Sequence, residues 1–171
     1  MSSSLRCAGV FWIASTALFV LLAPAAAIAQ NASTEIPLPQ VPKAVMATVM
    51  KWFPDAQPQS ASRGMDGNKA FFDVFIIAKQ RNVWVTCDPQ GGLMVVDREI
   101  TLQELPRPVN DAIGRKYARA TIRSLNEITD SNQTHYDIAL TFNNKPLIVL
   151  FLANGQFVEE MPDDQPPPAA K

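Results

Sequence analysis

The sequence has few of the residues that most catalytic and cofactor chemistry requires. One histidine and two cysteines in 171 residues leave no Cys/His cluster for a zinc or iron–sulfur site. Seven glycines, with no Gly-rich loop ahead of a helix, argue against a phosphate or dinucleotide cradle. Fifteen basic residues against sixteen acidic ones give no positive excess for nucleic acid. We therefore expect a chain that is not an enzyme, uses no cofactor or metal, and does not bind nucleic acid.

The start of the chain has the pattern of an export signal. Arg6 precedes an apolar run over residues 8–22, and the small residues Ala27 and Ala29 fit a signal-peptidase site. The competing interpretation is an uncleaved membrane anchor, but the run is shorter than the roughly 20 residues that a membrane span prefers. The sequence predicts a signal peptide at residues 1–29 and a periplasmic or secreted protein that keeps no membrane anchor.

The remaining chain contains an internal repeat. A shift of 64 residues aligns residues 41–96 with residues 105–160 without a gap and gives nine identities, where chance would give about three or four. We interpret this as two tandem copies, at residues 41–100 and 101–162. An extended segment at residues 30–40 precedes them, and a disordered Pro-rich tail at residues 163–171 follows them.

Each copy is predicted to be one helix followed by an antiparallel meander. Apolar residues recur every four positions, which marks one buried helical stripe per copy: Val41, Val45, Val49 and Phe53, then Leu105, Val109, Ile113 and Tyr117. Pro42 and Pro106 stand where the helices begin, and Pro54 ends the first one. Alternating segments bounded by turn residues predict the strands: 57–63, 71–78, 83–87 and 93–97, then 121–128, 136–142, 147–152 and 157–160. The fold class is α+β, with both helices on one face of a curved sheet.

Short motifs in both copies resemble the PepSY-like group of exported proteins. The first copy has Val41-Pro42, Phe53-Pro54-Asp55-Ala56, Phe72-Asp73-Val74 and Asp88-Pro89-Gln90-Gly91. The second has Leu105-Pro106, Tyr117-Ala118-Arg119-Ala120, Tyr136-Asp137-Ile138 and Ala153-Asn154-Gly155. A tandem of such units is similar to the fold of β-lactamase-inhibitor proteins, and the resemblance covers residues 38–161. It implies an exported, non-enzymatic protein, and peptidase inhibition is a common suggestion for such families.

The candidate reactive groups all have a structural explanation. His135 shares a strand face with Asp137, yet no nucleophile motif accompanies it, so we expect an exposed strand histidine. Asp73 and Asp137 are equivalent in the repeat, which favours a solvated face or strand pairing over acid–base work. Cys87 aligns with Phe151 and is predicted to be a buried small hydrophobe.

The most informative feature is the predicted sheet face opposite the helices. Its second-copy positions begin polar, with His135, Asp137, Ala139 and Thr141, whereas the same first-copy positions are Phe71, Asp73, Phe75 and Ile77. Trp84 joins them from the next strand. An exposed aromatic patch usually marks an interaction site, so the predicted partner-binding residues are Phe71, Asp73, Phe75 and Trp84, with Asp66 at a hairpin tip. Two alternatives are that residues 30–40 cover the patch or that it forms a homodimer.

The sequence therefore favours a module that binds or inhibits an exported protein, such as a peptidase or another enzyme. The alternative is a periplasmic small-ligand-binding or sensor domain, which would need an enclosed pocket with a few convergent polar groups.

Overall fold

A computed structural model describes residues 33–130 and 133–163. The predicted signal peptide, residues 1–29, and the tail from residue 164 onward lie outside the described residues. Within the described ranges, none of the helices combines the length and apolar character needed to cross a membrane.

The described chain forms one antiparallel sheet of nine strands, in which each strand pairs with its sequence neighbours. Its elements in chain order are β1 Thr34–Ile36, a 3-10 helix Leu38–Gln40, α1 Lys43–Trp52, β2 Gln57–Asp66, β3 Lys69–Ala78, β4 Arg81–Cys87, β5 Leu93–Glu99, α2 Arg107–Lys116, β6 Thr121–Asp130, β7 Thr134–Phe142, β8 Lys145–Leu152 and β9 Phe157–Pro162. The prediction of an α+β fold built from two helix-plus-meander units is confirmed.

Local irregularities recur at the 64-residue spacing of the repeat. A bulge follows Pro58 in β2, and another follows Ile122 in β6. Left-handed residues occupy the β3–β4 turn and the β7–β8 turn, at Lys79 and Gln80 and again at Asn143 and Asn144. Two-residue hairpin turns require such positive φ values, so both copies turn in the same way although their turn residues differ.

Each helix begins directly after a proline. Pro42 and Pro106 are the N-cap residues, one position before the first helical residue. Both have extended backbone angles and end the preceding segment. The predicted stripes face the sheet, and Val45, Val49 and Val109 have no exposed surface.

The buried residues form two hydrophobic cores, one under each helix. Polar side chains lie between them on the helix side of the sheet. Arg98 on β5 pairs with Glu127 on β6 at 2.8 Å, and the Tyr136 hydroxyl donates a 3.2 Å hydrogen bond to Glu127. Because both helices pack on this side, the opposite side of the sheet has no helix on it among the described residues.

The two flanks differ from the sequence expectation. Residues 34–36 of the expected extended segment form β1, which pairs with the edge of β2. The segment then turns through the 3-10 helix, and Ile36 and Leu38 pack against the first core. Asp163, expected in the disordered tail, is instead buried. Its backbone N–H donates to the Pro146 carbonyl oxygen, and its carboxylate accepts from Arg123.

Candidate functional site

The outer face of the sheet, opposite the helices, is the candidate site. Side chains alternate between the two faces of each strand, and directly paired residues of neighbouring strands share a face. Val83, Val85 and Cys87 of β4 are buried on the helix side, so Trp84 points outward, as the sequence predicts. Its side chain is 38% exposed.

An aromatic pair stands near the middle of the first copy's outer face. Phe75 on β3 is paired with Trp84 on β4, and their rings stack with centroids 4.8 Å apart. Phe71 lies further along β3, over Gly64 of β2. A Cβ atom at Gly64 would come within 2.1 Å of the Phe71 ring, so glycine makes room for the far end of this ring.

The structure brings together some of the predicted binding residues but not all of them. Asp73 is two residues from Phe75 on the same face, and its carboxylate accepts a 2.6 Å hydrogen bond from the Thr86 hydroxyl. Asp66 lies at the tip of the β2–β3 hairpin, opposite Lys69. Phe75 is six residues away from that tip, about 20 Å along an extended strand. Asp66 therefore belongs to the rim of the outer face and does not contact the aromatic pair.

The polar pattern that the sequence shows in β7 does not continue into β8 on the outer face. Ile148 and Leu150 of β8 pair with Ala139 and Asp137 and face outward. Leu152 pairs with His135, which in turn pairs with Ile128 of β6. His135 is half-buried between these two apolar residues, and is not the exposed histidine that the sequence predicts. The apolar surface thus continues from the first copy across the second.

Among the carboxylates on the outer face where the copies meet, those of Asp97 and Asp137 have raised pKa values. Asp97 of β5 is paired with Trp84 on one side and with Ile128 on the other. Burial raises the pKa of Asp97 to about 6, and the charge of Asp137 adds to this, while a hydrogen bond with Asn126 and the charge of His135 oppose it. Burial also raises the pKa of Asp137, against the opposing effect of His135. One oxygen of Asp97, Oδ1, is buried without a hydrogen-bond partner.

Sequence reasoning did not single out Asp97 because its repeat equivalent is Met161. Nothing in the repeat therefore marks position 97 as special. The outward apolar residues of β8 were not predicted either, although the sequence indicates them. Residues 147–152 are a continuous apolar run, and such a run indicates a strand that is apolar on both faces.

The remaining candidate groups lie elsewhere or form no site. Cys87 is fully buried on the helix side, and burial, followed by the charges of Asp88 and Asp73, raises the pKa of its thiol to about 11. This thiol is therefore protonated and unreactive at neutral pH. Among the described residues, no three histidine, cysteine or acidic side chains come together in a way that could hold a metal ion.

A cavity of about 500 Å³ opens on the helix side, at the end of α1. Trp52 and Phe53 form one wall, and Val83, Arg98 and Glu104 contribute to the others. The Trp52 side chain is 60% exposed. Arg98 is already paired with Glu127, and Glu104 with Arg81, so these charged groups are engaged within the protein.

No family model matches the sequence, and no curated protein is similar to it in sequence. Solved structures do match the fold. A BLIP-like protein (named after β-lactamase-inhibitor proteins) from Bacteroides fragilis superposes with a TM-score of 0.60 at 18% identity, covering 79% of this chain and 96% of its own. A DUF2874 family protein from Bacteroides uniformis gives a TM-score of 0.60 at 16% identity, covering 71% of this chain and 88% of its own.

A candidate periplasmic protein from Bacteroides eggerthii has the same fold, with a TM-score of 0.61 at 15% identity. The match covers 71% of this chain and 88% of that protein. At these identities the comparisons establish the fold alone, and they confirm the fold that the sequence motifs imply. The chain therefore has the fold shared by BLIP-like and DUF2874 proteins.

Proposed function

We propose that this chain is an exported, non-enzymatic module that binds another exported protein through the outer face of its sheet. The observation behind the proposal is the Phe75–Trp84 stack on a sheet face that the described helices leave open. An antiparallel sheet with helices on one side normally presents a polar opposite face to water. Here Phe71, Ile128 and Leu150 extend the apolar surface on both sides of the stack.

The partner is proposed to be a protein, such as a peptidase or another enzyme. A broad sheet face with an aromatic centre suits a protein interface, where aromatic anchors account for much of the binding energy. The BLIP-like name of one structural neighbour agrees with a protein partner. Export agrees with the predicted signal peptide and with the candidate periplasmic neighbour.

The test is capture of an exported protein by variants of the immobilised protein. We expect Trp84→Ala and Phe75→Ala to lower the captured amount of a specific exported protein at least tenfold, the effect of removing about 1.4 kcal/mol or more at a hot spot. Both variants should stay folded, because a stacked pair adds only about 0.5–1.5 kcal/mol beyond its area burial. Quantitative mass spectrometry of the captured fraction, beside a thermal melt of each variant, measures both effects.

The matched control is Trp52→Ala, which removes an exposed tryptophan from the helix side. It should capture the same protein as the wild type. If Trp84→Ala and Phe75→Ala unfold the protein, the outer face is part of the core and the proposal fails. It also fails if both folded variants capture as well as the wild type.

The helix-side cavity favours a second candidate function, binding of a small ligand. Its volume of about 500 Å³ lies within the usual range of about 300–1,000 Å³ for ligand sites. In that case Trp52→Ala, and not Trp84→Ala, would abolish binding. We favour the outer face because three of the charged groups that line the cavity, Arg81, Glu104 and Arg98, already form ion pairs within the protein.

A further inference from the structure

The outer face has negative charge beside its aromatic centre, and within the described chain His135 and a hydrogen bond with Asn126 compensate it only in part. Asp97 is the direct cross-strand neighbour of Trp84. Asp137 lies two strands away, on β7, and is paired with Asn126 of β6. A half-buried carboxylate is costly unless a positive charge or several hydrogen bonds compensate it, and Asp97 Oδ1 has no hydrogen-bond partner.

The described chain supplies little positive charge to this surface. The paired outward positions of β4 to β8 hold no lysine or arginine. Lys69 lies at the distant hairpin tip opposite Asp66, and Arg123, at the β6 bulge, is already bound by Asp163. The basic residues of the helices, such as Lys51 and Arg115, are on the other side of the sheet. Within residues 33–130 and 133–163, His135 is the one basic side chain that acts on the two carboxylates.

This imbalance defines the chemistry that a partner should present. We propose that the partner places a lysine or arginine side chain against Asp97 and Asp137, with an adjacent apolar residue packed on the Phe75–Trp84 stack. This inference rests on the proposed function of the outer face and adds the chemical identity of the partner's contact residues.

Several physical effects favour such a pair of residues. A cationic side chain placed over Asp97 and Asp137 would balance the charge of both carboxylates in a place where water is partly excluded. Trp84, next to Asp97 in the sheet, presents an aromatic ring that attracts a cation as well as an apolar group. A purely apolar partner would instead bury both carboxylates without compensation, which weakens binding.

A random library of twelve-residue displayed peptides tests the inference with a defined probe. We expect selection on the purified full-length protein to enrich peptides with lysine or arginine within two positions of an aromatic or aliphatic residue. One enriched peptide and a counterpart in which methionine replaces the basic residue are then each titrated into the protein, and binding is followed by tryptophan fluorescence. A Trp12→Phe/Trp52→Phe background is used for this, so that the tryptophan fluorescence of the full-length protein reports Trp84.

The basic peptide should bind wild type at least tenfold more tightly than its methionine counterpart does. Asp97→Asn should abolish most of this preference, because it weakens binding of the basic peptide and removes the cost of burying a charged carboxylate under the methionine peptide. A higher salt concentration should lower the affinity for the basic peptide but not for the methionine peptide, as expected for a partly exposed ion pair.

The pH dependence gives a second readout. The pKa of Asp97 is raised to about 6, so lowering the pH from 7.5 to 5 protonates this carboxyl. The affinity of the wild type for the basic peptide should then fall several-fold, whereas the affinity of Asp97→Asn should not. The other titratable side chains described on the outer face around Asp97 are Asp137 and His135 of β7, Glu99 of β5, Asp130 of β6 and Asp73 of β3. The effect should persist in His135→Gln, which removes the basic group among them.

The outcomes separate this inference from the proposed function. If the enriched peptides lack basic residues, or if Asp97→Asn binds the basic peptide as tightly as wild type, the charge inference is wrong and the binding face stands. If no peptide is enriched over a Phe75→Ala/Trp84→Ala double variant, the proposed function fails and this inference fails with it.

Discussion

At the level of single residues, Asp97 shows how a side chain can oppose folding and still suit binding. Its pKa in the folded protein is about 6, against an ordinary value of 3.8. A raised acid pKa means that the folded protein binds the proton more tightly than the unfolded chain. The contribution of Asp97 to stability is therefore most favourable at low pH and is lost as the pH rises through about 6.

This sign leads to a stability prediction for Asp97→Asn. At pH 8 the free energy of unfolding of the variant should exceed that of the wild type by about 1 kcal/mol. This figure allows for the solvent that partly screens the Asp97 carboxyl. The difference should shrink through the interval between about 6 and 3.8 and vanish below it, where the carboxyl is protonated in both states. Denaturant melts at pH 8 and pH 3.5 measure it.

Asp66→Asn, at the exposed hairpin tip, is the matched control and should change little at either pH. Destabilisation by Asp97→Asn at pH 8 would mean that the ionised carboxylate already has a strong partner within the protein. The carboxylate would then not be free to receive a cationic side chain.

At the level of secondary-structure elements, each helix is fixed to its own meander by a glycine turn. The Thr48 hydroxyl of α1 donates a 2.6 Å hydrogen bond to the Gly91 carbonyl oxygen in the β4–β5 turn. Gly91 has φ +84°, and a Cβ atom there would approach the Ala44 carbonyl oxygen to 2.5 Å. Gly155 stands in the same relation to Pro108, at 2.4 Å. The turn and the helix can approach this closely only because the side chain is absent.

Gly91→Ala is therefore expected to destabilise the protein by about 2–4 kcal/mol, from backbone strain and from the clash with α1. Gly67→Ala is the control for the strain alone, since Gly67 also has positive φ, +59°, but no atom within 4 Å of an added Cβ. It should cost only about 1–2 kcal/mol. Chemical denaturation measures the free energy of unfolding of both variants. Equal losses would show that the contact between the turn and the helix contributes nothing to stability.

The elements were predictable because their signals are local. The four-residue apolar spacing predicts α1 and α2, and the structure places Val49 and Ile113 in the two cores. The alternation in β3 and β7 predicts their faces. Strand β1 was not predicted because three residues, Thr34–Ile36, are too few to show a period, and their pairing partner lies in β2.

At the level of the whole molecule, the two faces of the sheet have different chemistry. The helix side has two separate cores with the Arg98–Glu127 ion pair between them, while the outer face combines an apolar surface with Asp97 and Asp137. The sequence was sufficient to identify the aromatic part of this surface, because Phe75 and Trp84 follow from strand alternation alone. The position of Asp97 between Trp84 and Ile128 depends on the β4–β5 and β5–β6 registers, which periodicity does not determine.

The most direct test of the account compares photo-crosslinking from the two faces of the sheet in intact cells of the native host. Benzoylphenylalanine is introduced at Trp84 on the outer face or at Trp52 on the helix side, an aromatic group for an aromatic group in both cases. The account predicts a specific covalent adduct with an exported protein from position 84 and none from position 52. An adduct from position 52 alone, or none from position 84 when the protein is folded and exported, would contradict it.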